Sequence, residues 1–298
     1  MIQLACPNCR ATLDRPNDSD ATCVECGEQY PIVDGIHRFL PTARRAHYEP
    51  FLRDYTAVRL AEGRGTGDVD YFKRLPEPTA GGPIEWQWTI RRHTWATVRD
   101  RVLPKLGDGL VVIDVGAGVG WLSNRLHELG HSPHAVDLTV DDEDGLGAAR
   151  HYGPPWPRYQ GEMDALPFAD AQADVVVFNA SLHYSTDYVR TIGEAQRVLR
   201  PGGVVVIMDS PIYGRDDAGR QMVAERHADF ERRFGTRSDS VASIEYLTDA
   251  MLTDIGERLG LRWVRHHTWY GWQWALRPWK ARVKRRRQPS RFVVLVGR

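Results

Sequence analysis

The 298-residue chain is 42% hydrophobic, which is enough for one full α/β core and a small accessory module. Its 39 Lys and Arg balance 39 Asp and Glu, so global charge gives no reason to expect attraction to a polyanion or an acidic membrane surface; any nucleic-acid footprint has to be local. No apolar run approaches the ~20 residues that span a bilayer, and the opening MIQLACPNCR does not read as a signal peptide, so the expectation is a cytoplasmic protein with no membrane partner.

All four cysteines precede residue 27, which excludes a disulfide or a thiolate nucleophile from the rest of the chain. Cys6-Pro7-Asn8-Cys9 and Cys23-Val24-Glu25-Cys26 are two CxxC knuckles separated by 13 residues. Two such knuckles can close a tetrahedral thiolate cage around zinc. The competing readings are two disulfides, which a reducing compartment disfavours, and a redox CxxC, for which no surrounding βαβ pattern is present. With all four positions filled, the expected zinc is structural, and a segment this short draws much of its folding free energy from the metal. Apolar runs around Asp34-Gly35, from Tyr30 to Pro41, read as a β-hairpin that completes a ribbon over residues 1–41.

Residues 42–104 mix helical periodicity with breakers, Gly63-Arg64-Gly65-Thr66-Gly67 and then Pro76, Pro78, Gly81, Gly82 and Pro83, and read as helix, loop, helix. The second helix, about 84–102, carries Trp86, Trp88 and Trp95. Its tryptophans suit a core-packing stripe on one face and a lid on the other.

From about residue 105 to 298, strand and helix patterns alternate, the mark of a parallel α/β sheet. Leu110–Ile113 is a strand buried on both faces. It runs into Asp114-Val115-Gly116-Ala117-Gly118-Val119-Gly120 and then a helix from Trp121 to Leu129, with Gly130 placed as a C-cap. Glycines let a ligand approach the backbone, and the helix start offers unpaired N–H groups. Glycine spacing alone leaves a dinucleotide open. Asp114, able to bind an ammonium group directly or through water, favours a cofactor that carries an amino acid. A second strand, His134–Asp137, ends in an acid 17 residues beyond Gly120 that can accept from two ribose hydroxyls. Gly161-Glu162-Met163-Asp164, the strand Ala173–Asn179 and the run Arg197–Asp209 follow.

In this order the elements resemble a class I S-adenosylmethionine-dependent methyltransferase. The resemblance implies a Rossmann-like sheet, mostly parallel with an antiparallel last strand supplied by Arg291–Gly297 and paired with Leu261–Val264. It implies that Gly116 and Gly118 approach the methionine portion, that Asp137 binds ribose, that the Glu162 carboxylate and the Met163 N–H read adenine, and that Asn179 lies beside the cofactor. Relatives often have aspartate where Glu162 stands, so Asp164 is an alternative. The N-terminal segment resembles the zinc ribbons associated with some methyltransferases, including certain ribosomal-RNA guanine methyltransferases.

Methyl transfer is an in-line displacement in which alignment carries much of the rate. The lack of cysteine beyond the ribbon excludes thiolate-adduct chemistry on pyrimidine carbon, and the fourth strand leads into Asn179-Ala180-Ser181-Leu182-His183-Tyr184, not an NPPY-like sequence. His183 is the candidate general base, with Tyr184 a weaker one; Asp209 and Tyr213 are candidate pocket residues. Trp269, Tyr270, Trp272, Trp274 and Trp279 suit an aromatic vault around a small molecule, while the basic run from Lys280 to Arg287 suits single-stranded RNA or a solvated face. The favoured expectation is methyl transfer to an O, N or C atom of a small molecule. RNA base methylation and a non-catalytic cofactor-binding module are the alternatives. The oligomeric state is not legible.

Overall fold

The computed structural model describes residues 2–13, 20–65, 68–153 and 156–298; Thr66 and Gly67 of the expected glycine loop lie outside the described residues. Near the N-terminus, β1 (Ala21–Thr22) and β2 (Gln29–Tyr30) pair antiparallel, and β3 (Ile32–Val33) turns through Asp34-Gly35 into β4 (Ile36–Arg38). Helices α1 (Thr42–Ala61), α2 (Val69–Arg74) and α3 (Glu85–Thr97) follow, and α3 continues as a wider turn over Val98–Val102. The alternating region contains β5 (Val111–Val115), α4 (Trp121–Glu128), β6 (Ser132–Asp137), β7 (Arg158–Gln160), β8 (Ala173–Asn179), α5 (Tyr188–Val198) and β9 (Leu199–Met208). The chain ends with β10 (Ile212–Tyr213), α6 (Asp216–Phe234), β11 (Leu247–Thr248), α7 (Asp249–Leu259), β12 (Trp263–His267), α8 (Trp272–Ala275), α9 (Arg277–Val283) and β13 (Val293–Gly297).

The central sheet has nine strands in the order β12-β13-β9-β8-β5-β6-β7-β4-β3. It is parallel except for β13, which is antiparallel to both of its neighbours, and β3. This is the Rossmann-like methyltransferase sheet with its reversed strand inserted before the last, as expected; the partner strand β12 starts two residues later than the sequence suggests. The β-branched runs explain why the sheet is buried on both faces. Ile113, Val176, Phe178, Val205, Ile207 and Leu295 pack with α5 and α7, while their alternates Val112, Val175, Val177, Val204, Val206 and Val294 pack with α3 and α4. Each fully buried aliphatic side chain of this kind contributes about 1.5–3 kcal/mol.

One expectation is corrected at the other edge. The hairpin assigned to the ribbon belongs to the central sheet, because β4 pairs in parallel with β7 through Ile36–Arg158, His37–Tyr159 and Arg38–Gln160. Leu4, Cys6, Leu13, Cys23, Tyr30 and Phe39 share one apolar cluster with Leu166, Phe168 and the sheet. The N-terminal segment therefore packs as an extension of the α/β core.

Candidate active site

Strand order changes direction between β5 and β8, which opens a crevice at their carboxyl ends. A cavity of about 410 Å³ occupies that position. Its floor is the turn after β5. Gly116 has φ 73°, and a Cβ there would stand 2.2 Å from the Ser181 Cβ, so the turn requires glycine for both conformation and space. The Gly116 and Ala117 amides donate to the Val136 carbonyl at 2.8 and 3.1 Å, which ties the turn to β6. Gly118 N donates to Asp137 Oδ2 at 2.7 Å, and Asp137 Oδ1 accepts from Thr139 N and Oγ1 at 2.7 and 2.6 Å. Burial raises the Asp137 carboxyl pKa, while these hydrogen bonds oppose it.

Gly116, Gly118, Asp137, Met163, Asn179, His183 and Tyr184 all line the cavity. The Asn179 Oδ1 is buried with no protein partner, an acceptor aimed at a ligand. Two other expected site residues stand elsewhere. Asp114 is fully buried beneath the turn, where Oδ2 accepts from Ser123 Oγ at 2.8 Å. This bond ties α4 to β5, and Trp121 in the same helix packs edge-on against Trp88 and Trp95. Burial pushes the Asp114 carboxyl up to about 7. Glu162 also lies outside the cavity: its Oε1 accepts from Arg44 at 2.7 and 3.0 Å and from Tyr48 at 2.7 Å. These three bonds, all to Oε1, tie Glu162 to α1. Asp164, the alternative, pairs with Arg190 at 3.0 Å and does not line the cavity.

The opposite wall comes from α1, α3 and the segments after β8 and β9. Phe51, Tyr55 and Arg59 of α1 and Trp86, Trp88, Ile90 and Arg91 of α3 face the cavity, so α3 uses its tryptophans for both packing and lining. Tyr184 meets the Tyr55 ring edge-on at 5.8 Å. His183 places Nδ1 3.4 Å from Ser210 Oγ. Burial, then the nearby Arg226, Arg91 and Arg59, depress its pKa to about 3. The imidazole is therefore neutral at physiological pH and weakly basic. Asp209 lines the cavity with both carboxyl oxygens buried; burial pushes it up to about 6, opposed by the Thr94 hydroxyl and then by Arg91. Tyr213 is buried outside the cavity, beside Tyr246 and Arg287.

The cations of this wall were not legible as site residues, because an arginine on an amphipathic helix reads as part of a solvated face. Arg59 pairs with Asp144, Arg64 with Glu62 at 3.2 Å and Arg226 with Glu245 at 2.5 Å. Arg91 stacks on the Trp88 ring at 4.6 Å. Burial and the neighbouring guanidinium groups of Arg64 and Arg59 lower its pKa to about 10, so it remains cationic near neutral pH. The expected aromatic vault from the C-terminal tryptophans is corrected: Trp269, Trp272 and Trp279 are exposed and none lines this cavity.

The four cysteine Sγ atoms lie within 4.8 Å of one another. Cys6 to Cys26 is 3.6 Å and Cys9 to Cys23 is 3.5 Å, far from an S–S bond of about 2.05 Å and close to the ~3.8 Å that a tetrahedron with Zn–S near 2.3 Å implies. Arg10 N to Cys6 O and Gly27 N to Cys23 O, both 2.8 Å, close the two knuckles. The Glu28 backbone amide, helped by Asn8, draws the Cys26 thiol down to about 7.

Residues 113–207 match the family model described as "Methyltransferase domain". The malonyl-[acyl-carrier protein] O-methyltransferase of Pectobacterium atrosepticum is 32% identical over 149 residues, 50% of this chain and 51% of the relative. The protein of the same name from Erwinia pyrifoliae is 36% identical over 100 residues, 34% and 37% of the respective chains. The chain thus spans about half or less of the length of these curated relatives. The YcgJ protein of Bacillus subtilis shares the fold, with a TM-score of 0.50 at 15% identity, covering 70% of this chain and 97% of that one. Residues 113–207 thus match a methyltransferase domain model, and they lie within a Rossmann-like sheet whose switch point opens into the cleft.

Proposed function

We propose that the protein transfers a methyl group from S-adenosylmethionine to an oxygen of a small acceptor bearing a carboxylate, and that zinc closes the four-thiol cluster as a structural centre. The cleft suits the cofactor on three counts: a glycine turn that any Cβ would block, the Asp137 carboxylate on its edge, and the unpartnered Asn179 Oδ1. When bound, the cofactor supplies a methyl group on a cationic sulfur. Asp137 would hold the ribose hydroxyls, Met163 would lie along the adenine, and Asn179 would accept from the ammonium group. Asp114 acts from below, by fixing Ser123 and thereby the start of α4.

The observation that carries the acceptor class is the Arg91 guanidinium in the cavity wall, stacked on Trp88, beside a His183 whose burial leaves it a weak base. A group held neutral with a pKa near 3 is a poor general base. An acceptor that arrives already nucleophilic needs no base, and a carboxylate with an ordinary pKa near 4 does so at neutral pH. Arg91, cationic and stacked inside the cavity, supplies a counter-charge for it. The relatives named as malonyl-[acyl-carrier protein] O-methyltransferases support an oxygen acceptor. RNA is the weaker reading, since the basic run from Lys280 to Arg287 stands outside the cavity.

The test is methyl transfer from labelled S-adenosylmethionine to a panel of small carboxylic acids and their amides and amines. The expected product is a methyl ester that releases methanol in mild alkali. A label stable to alkali would move the acceptor atom to a hydroxyl oxygen, a nitrogen or a carbon.

A further inference from the structure

We propose that α8 and α9 form an interfacial helix that docks the protein on an anionic lipid bilayer. The inference is independent of the acceptor reading above. No helix among the described residues is long and apolar enough to cross a membrane, so the contact is with the surface only.

The segment from Trp272 to Val283 is helical apart from the single residue Leu276, which itself has right-handed helical dihedrals. Trp272, Leu276, Trp279 and Val283 stand 76%, 46%, 64% and 64% exposed. Their spacing of four, three and four places them, at about 100° per residue, within one stripe roughly 60° wide. The face turned to the protein is a different one, made by Trp274, which packs on Phe292, together with Arg277 and Ala281. The apolar stripe is thus left over after the helix has docked.

The charge around the stripe selects the partner. Lys280 and Arg282 fall on either side of it, and Lys284, Arg285 and Arg286 follow; among the described residues none of these five has a carboxylate in ion-pair distance. From residue 258 to 298 the sequence holds twelve Lys and Arg and no Asp or Glu, although the whole chain is neutral. Tryptophan and leucine on one face with cations along its margins match the boundary between acyl chains and anionic headgroups. A nucleic acid would use the cations and the indole rings but leaves Leu276 and Val283 without a role. Trp86, also exposed, lines both the methyltransferase cavity and a second groove bordered by Tyr270 and Trp274. The docking helix therefore adjoins one wall of the cleft.

The experiment is co-sedimentation of the full chain with vesicles of phosphatidylcholine alone and with 30% phosphatidylglycerol, read with tryptophan emission. Binding to the anionic vesicles with a blue shift is expected, together with at least tenfold weaker binding to neutral vesicles. Trp272→Gln with Trp279→Gln should weaken binding at least tenfold and remove the shift, and Lys284→Gln with Arg285→Gln and Arg286→Gln should weaken it and flatten its salt dependence. These side chains are exposed, so unchanged thermal melting verifies folding. No binding to anionic vesicles, or binding that the tryptophan substitutions leave intact, overturns the proposal. Tighter binding of single-stranded RNA or of an acidic carrier protein, in competition with the vesicles, overturns it in favour of that partner.

Discussion

At the residue scale, three carboxyl and imidazole groups in or under the cleft differ in what surrounds them, and each difference has a measurable consequence. Asp137 offers a charged acceptor to both the glycine turn and the expected ribose position. Losing one hydrogen bond to a charged group costs about 1.5–3 kcal/mol, so Asp137→Ala should weaken S-adenosylmethionine binding roughly ten- to hundredfold by calorimetry. Unchanged affinity would place the ribose elsewhere. His183, with its pKa near 3, is neutral from pH 6 to 8. His183→Gln should therefore lower kcat less than about tenfold and leave the shape of the pH profile unaltered, whereas loss of a limb near pH 6.5 would restore it as the general base. Asp114 has its pKa raised to about 7 by burial, so between the ordinary value near 4 and this one the folded state binds the additional proton. Stability contributed by the protonated form is complete at low pH and is lost as pH rises from about 4 towards 7, on the order of 4 kcal/mol. Asp114→Asn keeps an acceptor for Ser123 and carries no charge. Its melting temperature should gain on the parent chain as pH rises from 5 to 8, and a constant difference would rule out the buried proton.

At the element scale, the cofactor turn and the sheet were legible because they depend on local pattern: continuous apolar runs, a glycine turn, a helix, and an acid at the end of the next strand. The antiparallel placement of β13 came from the resemblance, since the apolar pattern of Val293–Gly297 alone fixes a strand but no neighbour. The pairing of β4 with β7 was not legible. Ile36 and Arg158 lie far apart in sequence, and three residues of β-propensity carry no register information. That pairing changes what metal loss should do. Because Leu4, Cys6, Leu13 and Tyr30 share an apolar cluster with Phe168 and the sheet, and Arg10 bonds Glu194 of α5 at 2.6 and 2.9 Å, the thiol cluster supports the cofactor core. Chelation, or Cys23→Ser, should lower the melting temperature of the whole chain in a single transition, and elemental analysis should find one zinc per chain before treatment. A separate early transition with the main one unmoved would show that the two parts fold independently.

At the scale of the whole molecule, neutrality conceals a division: the last forty-one residues are wholly basic in charge, and the excess of acids lies in the preceding part. Sequence reading found the basic run and the tryptophans but gave the tryptophans to a small-molecule pocket and the cations to RNA or a solvated face, because proximity along a chain says nothing about which face of a helix is already used. Arg59, Arg91 and Arg226, which do line the cavity, were hidden inside helical patterns. The two sets are separable by substitution. Neutralising Lys284, Arg285 and Arg286, which are exposed and outside the cavity, should abolish the salt-dependent part of polyanion binding. Affinity for S-adenosylmethionine and transfer to a short water-soluble carboxylic acid should stay within about twofold, since exposed charges that do not line the cavity are screened by salt. Arg91→Met should do the reverse, raising KM for the carboxylic acid at least tenfold while surface binding is unchanged. A drop in small-acceptor transfer of more than tenfold in the C-terminal variant would join the basic segment to the cleft as one continuous binding path, and a long polyanionic acceptor would then replace the small carboxylate.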